Sequence, residues 1–126
     1  MKIDKNFEGL TRIDNGDYVL EGDLVSDEEI EIDLDDRMVV RGKIVSKKSI
    51  FTKFTLIAGY GIEAGEGIEA GEGIEAKTYI YSQKRIFAGI SLYCTSETCN
   101  KTITCAELRG GEVCFGDLVI TEERKD

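Results

Sequence analysis

The chain contains no histidine, no tryptophan and no proline. Without histidine it has lost the commonest general base, the commonest metal ligand and the base of the usual catalytic triad. Without proline every residue keeps its backbone donor, which suits uninterrupted hydrogen-bonded ladders. No run of about 18 apolar residues occurs, and the first ten residues carry no apolar stretch of the signal-peptide kind. A soluble, cytoplasmic protein is therefore expected, with its four cysteines as reduced thiols. Positive charge is also scarce. The net charge of −9 argues against direct binding to nucleic acid or to an anionic membrane.

What the chain does have is a period. Steps of six from Ile32 land on Ile32, Met38, Ile44, Ile50, Leu56, Ile62, Ile68, Ile74, Ile80, Ile86 and Leu92 without a miss. If about one residue in four is large and aliphatic, chance gives such a run on the order of once in several million tries. At its centre stands the repeat Gly61-Ile-Glu-Ala-Gly-Glu, Gly67-Ile-Glu-Ala-Gly-Glu, Gly73-Ile-Glu-Ala. Six is neither a helical nor a heptad period, and it points to a β-solenoid. Two residues after each aliphatic hit the side chain is small, from Ser46 and Thr52 through Ala58, Ala64, Ala70, Ala76, Ser82 and Ala88 to Cys94. Residues i and i+2 of a strand share a face, so each hexad reads large-in, out, small-in, then a corner. The corners at Gly59, Gly65, Gly71 and Gly89 are expected to use the positive φ that glycine allows.

The fold class expected is all-β, a single-stranded β-solenoid of hexapeptide repeats in one domain. Tyr18, Leu24 and Ile30 keep the spacing but stand two residues off the Ile32 frame, and the loop around Asp33, Asp35 and Asp36 is expected to absorb the slip. Hexads over residues 18–94 would make about four three-sided coils of roughly 18 residues; flattened two-sided coils of about 12 are the alternative. Residues 1–17 read as an N-terminal cap. Residues 95–126 read as a cysteine-containing hairpin and tail, turning on Gly110-Gly111 and closing the other end.

Candidate sites are few. Glu63, Glu69 and Glu75 follow the aliphatic hits of the perfect repeats, and a three-sided coil would scatter them over different faces. At the same outward position the flanking hexads carry Val39, Val45, Phe51 and Ile57 on one side and Tyr81, Phe87 and Tyr93 on the other. Caps folded over these flanks would explain them; so would a surface for self-association or a protein partner. Cys94, Cys99, Cys105 and Cys114 lack a Cys-x-x-Cys pair, which makes them weak zinc candidates. In the expected hairpin Cys105 would face Cys114. The patch Lys43, Lys47, Lys48 and Lys53 reads as a solvated face balancing the acidic N-terminal region. No catalytic residues, metal or cofactor are expected.

From Gly59 to Leu92 the chain resembles uncharacterised bacterial proteins with variable numbers of Gly-Ile-Glu-Ala-Gly repeats before a cysteine-containing tail. That resemblance implies no activity. More loosely, the hexads are similar to those of hexapeptide-repeat acyltransferases and of bactofilin-type polymer-forming β-helices. The acyltransferases place their small residue four positions after the aliphatic one, against two here, and generally use a catalytic histidine. Bactofilin-type proteins leave their coil ends open, whereas the expected hairpin would close this one. The expected function is a non-enzymatic solenoid presenting a rigid surface to itself or to a protein partner. The alternative is an acidic mimic of nucleic acid, such as a phage-encoded anti-defence inhibitor.

Overall fold

The computed structural model describes residues 1–89 and 101–121. Those residues form strands and no helix. Two short strands come first, β1 (Lys2–Ile3) and β2 (Leu10–Arg12). The first coil is β3 (Tyr18–Leu20), β4 (Leu24–Ser26) and β5 (Ile30–Ile32). The second is β6 (Met38–Val40), β7 (Ile44–Ser46) and β8 (Ile50–Thr52), and the third β9 (Leu56–Ala58), β10 (Gly61–Ala64) and β11 (Ile68–Ala70). The fourth holds β12 (Ile74–Ala76) and β13 (Tyr79–Ala88), which turns a corner without breaking. The fifth holds β14 (Thr102–Cys105) and β15 (Glu107–Phe115), followed by β16 (Asp117–Ile120). The result is a β-solenoid of about five turns, close to the expected four.

Register resolves the choice of cross-section: the coil is three-sided. Ile44 lies on Ile62 and Ile62 on Ile80, so a side chain meets its counterpart three hexads later. Face I stacks β3, β6, β9, β12, β14 and β16 in parallel, with β2 antiparallel against β3. Face II stacks β4, β7, β10 and the first halves of β13 and β15. Face III stacks β1, β5, β8, β11 and the second halves of β13 and β15. Met38, Ile44, Ile50, Leu56, Ile62, Ile68, Ile74, Ile80 and Ile86 are all fully buried in one continuous core. At about 1.5–3 kcal/mol for each large apolar side chain buried, this ladder is the main stabilising term.

The hexad frame needs one correction at its start. Ile30, not Ile32, lies on Ile50, whereas Ile32 lies on Thr52 in the small row. Ile32 therefore matches the six-step count by coincidence. The two extra residues sit in the loop from Ile32 to Met38, facing the shorter Thr52–Leu56 loop of the next coil. There Asp33 meets Lys2 at 3.5 Å and Lys53 at 2.6 Å, Asp35 accepts the Tyr18 hydroxyl at 2.7 Å, and Leu34 is buried.

A larger correction concerns the C-terminus. The hairpin does not form: β14 runs parallel to β12, β15 to β13, and β16 to β14. These strands continue the solenoid in a different step. Its inner residues there, Ile103, Leu108, Val113 and Leu118, are spaced by five residues and stack on Ile74, Ile80, Ile86 and Ile103. A pentad coil on a hexad coil must slip, and β15 shifts register three times against β13. Gly110 and Gly111 cross a corner of the coil instead of making a turn. A Cβ on Gly110 would meet the Tyr81 ring at 2.7 Å, and Gly111 has φ of +113°.

Candidate interaction surfaces

Three-sidedness divides the outward candidates among three faces. Face I carries the ladder Val19, Val39, Ile57, Glu75, Thr104, Val119. Face II carries Val25, Val45, Glu63 and Tyr81. Face III carries Glu31, Phe51, Glu69, Phe87 and Phe115. Phe51, Ile57, Tyr81 and Phe87 thus form no single patch, and Glu63, Glu69 and Glu75 point from different faces. Tyr93, Cys94 and Cys99 lie outside the described residues.

The repeat carboxylates are not simply a solvated row. Glu66 accepts from the Ser49 hydroxyl at 3.3 Å, and Glu72 accepts from Thr55 at 3.1 Å. Glu63 takes a short hydrogen bond from the Tyr79 hydroxyl. Tyr79 lies flat over Gly61, where a Cβ would come within 2.7 Å of its ring carbon Cδ1. Tyr60 meets it edge-on at 5.7 Å, and the Arg109 guanidinium stacks on it at 4.1 Å. Burial, and then the Glu63 carboxylate, push the Tyr79 hydroxyl up to about 12. Periodicity did not single out this cluster, although the six-step ladder already sets Gly61-Ile62 three hexads before Tyr79-Ile80.

The lysine patch is a partner to the acidic coil above it. Arg37, Arg41, Lys47, Lys48 and Lys53 pair with Asp17, Glu21, Asp27, Glu28 and Asp33, one corner after another. Most of these pairs are exposed, where solvent screening leaves an ion pair little net stabilisation. Asp17 is the exception. It is buried, and Arg37 grips both its oxygens at 2.9 and 3.0 Å.

The cysteine expectations change with the topology. Cys105 is fully buried on face I, in the small row beneath Ala76, and burial raises its thiol pKa. Cys114 is exposed on β15, and both are free. The facing thiol pair therefore does not exist, because the hairpin that would create it does not. Among the described residues no group of three or more His, Cys, Asp or Glu side chains could hold a metal ion.

The two ends of the stack differ. At the first, β1 pairs with β5, β2 pairs with β3, Ile3 is fully buried, and Phe7 and Leu10 pack on the core. At the second, Phe115, Leu118, Val119 and Ile120 are 46, 41, 43 and 50% exposed. β16 ends its sheet and pairs only with β14 among the described strands. The six-step count could not reach this end, since the step there is five.

No family model matches the chain, and neither a curated protein nor a solved structure does.

The concavities are open grooves. One, of about 740 Å³, runs along the corner between faces II and III past Glu66, Lys84, Arg85, Phe87 and Glu112. Another, of about 300 Å³, crosses Val39, Ile57 and Glu75 on face I. Both mix charge and apolar surface, and in the first the Ser49 hydroxyl donates to the Glu66 carboxylate at 3.3 Å. The described residues include no helix long and apolar enough to cross a membrane.

Proposed function

We propose that this protein is a non-catalytic scaffold, a rigid β-solenoid whose exposed apolar surface serves assembly with another copy or with a protein partner. The observation that carries this reading is the C-terminal coil end, where Phe115 on β15 and Leu118, Val119 and Ile120 on β16 lie exposed. Large contiguous apolar surface is costly to leave in water and marks interaction sites. The outer edge of β16, which no other described strand pairs, adds a template for backbone pairing.

This surface supports association more than electrostatic mimicry of nucleic acid. A mimic needs carboxylates in rows, yet the repeat glutamates divide among three faces. Three of the five glutamates in the perfect repeats accept hydrogen bonds from neighbouring coils, and the acidic corners of the first coil face basic ones.

The test combines light scattering of the full chain with affinity capture, comparing wild type with Leu118→Glu/Ile120→Glu. Scaffold function predicts an assembled species, or a captured protein, that the double variant loses while keeping its far-UV dichroism. A monomer at every concentration, with capture unaffected by the substitutions, rejects it.

A further inference from the structure

The core rows end abruptly at the last coil. Ile80, Ile86, Ile103 and Cys105 are fully buried, but the residues stacked beneath them are not. Leu108 and Val113 are only partly buried, and Leu118 and Ile120 are 41 and 50% exposed. Residues 122–126 of the sequence are all charged. Among the described strands none pairs with the outer edge of β16, whose backbone donors and acceptors form a ladder there.

The occupant is set by the opposite end. A head-to-tail contact would bring this open end against β1 and β2, which already cover two faces there with Ile3 sealed beneath. A second copy turned over to meet end with end encounters the same open surface. Turning a copy over reverses the sense of its coils, so strands that meet across the joint run antiparallel. Keeping inward side chains inward requires opposed residues to share a face. Centring the pair on Val119 does so: Leu118 then faces the copy's Ile120, and Val119 faces itself. Each Asp117, at one end of β16, is thereby held away from the other.

We infer that two copies close into a two-fold dimer through their C-terminal coil ends, β16 pairing antiparallel with β16 about Val119. This rests on the assembly role proposed above and names its partner. Contact through one self-complementary face closes at two copies and does not propagate into a filament.

Sedimentation and light scattering of the full chain should give twice the monomer mass. Val119→Lys sets two ammonium groups directly opposite each other on an outward position. It should raise the dissociation constant at least about tenfold, with the dichroism of a folded solenoid retained. Val25→Lys, at the other end, should leave the dimer intact. Val119→Cys in a Cys114→Ser background, oxidised with diamide, should yield a 119–119 disulfide on peptide mapping. Masses that climb past the dimer with concentration overturn the closed arrangement. A dimer that ignores Val119→Lys and gives no 119–119 crosslink overturns the end pairing while sparing the scaffold role; a monomeric wild type without an end-dependent partner overturns both.

Discussion

Gly65 sits at a corner, and replacing it with alanine should destabilise the solenoid by about 1–3 kcal/mol. Its φ is not positive, so the backbone itself would accept alanine. On that ground alone the change should stabilise by about 0.4–1 kcal/mol, through a less disordered unfolded chain. Stacking reverses the sign. A Cβ on Gly65 would overlap the Lys47 carbonyl oxygen and lie 2.7 Å from the carbonyl carbon. That carbonyl belongs to the coil above and cannot swing away. Gly65 N–H donates to Ser46 at 2.9 Å, and Glu66 N–H donates to Lys48 at 3.0 Å, pinning the two corners together. Gly67 is the internal control, since its Cβ would stop 3.1 Å from the Arg85 carbonyl oxygen. Gly67→Ala should stay within about 0.5 kcal/mol of wild type. Thermal unfolding followed by far-UV dichroism should lower the Gly65→Ala midpoint by roughly 3–12 °C. A Gly65→Ala protein as stable as wild type, or indistinguishable from Gly67→Ala, refutes the stacking argument.

Asp17→Ala should cost about 1.5–3 kcal/mol in chemical denaturation, because the substitution removes a buried, doubly hydrogen-bonded carboxylate. Lys47→Ala, losing an exposed pair, should cost under about 0.5 kcal/mol. For Tyr79 the folded value lies above the unfolded 10.0, so its contribution is complete below pH 10 and is lost as pH climbs to about 12. Tyrosinate absorbance should therefore show a late step near 12 that Tyr79→Phe abolishes. Under native conditions a maleimide should label Cys114 and spare Cys105, which reacts only after unfolding; equal native labelling contradicts the buried placement. Inserting three Gly-Ile-Glu-Ala-Gly-Glu hexads after Glu72 adds one coil and keeps every downstream strand on its face. A single added hexad moves each of those strands to the next face and separates Tyr79 from Tyr60, so it should unfold at a lower temperature than the three-hexad protein.

The middle of this fold was legible because one interaction dominates it. Inward Ile and Ala rows recur at fixed intervals, and burial leaves no alternative for residues from Met38 to Ala88. Legibility failed wherever a second constraint set the residue type. Ile32 is large in a small row, and so it shifted the apparent frame. Of the corner glycines Gly59, Gly65, Gly71 and Gly89, only Gly89 has positive φ, at +85°. Gly59 and Gly65 are glycine because a neighbouring carbonyl occupies the space of a Cβ, and a single hexad carries no information about the coil above. The last coil was misread for a similar reason. Two adjacent glycines between alternating residues fit a hairpin locally, and only the five-residue spacing of Ile103, Leu108, Val113 and Leu118 tells against it.

The perfect repeats, which make the architecture obvious, are the part least able to fix its register. Gly61, Gly67 and Gly73 head three identical Gly-Ile-Glu-Ala segments on three faces, so a shift by one hexad still sets large inward side chains on large ones and small on small. What opposes such a shift lies outside them. Tyr79 must find Gly61 beneath its ring, Glu63 at its hydroxyl and Tyr60 at its edge, and a shift would offer it the first two but not the third. On the other side, Asp17 with Arg37 and the paired corners down to Asp33 and Lys53 lock the first coil to the second. Irregular coils at both ends therefore specify the fold that the regular centre stabilises. They also differ as surfaces: one end is covered by β1 and β2 over β5 and β3, and the other leaves Leu118, Val119 and Ile120 exposed on β16.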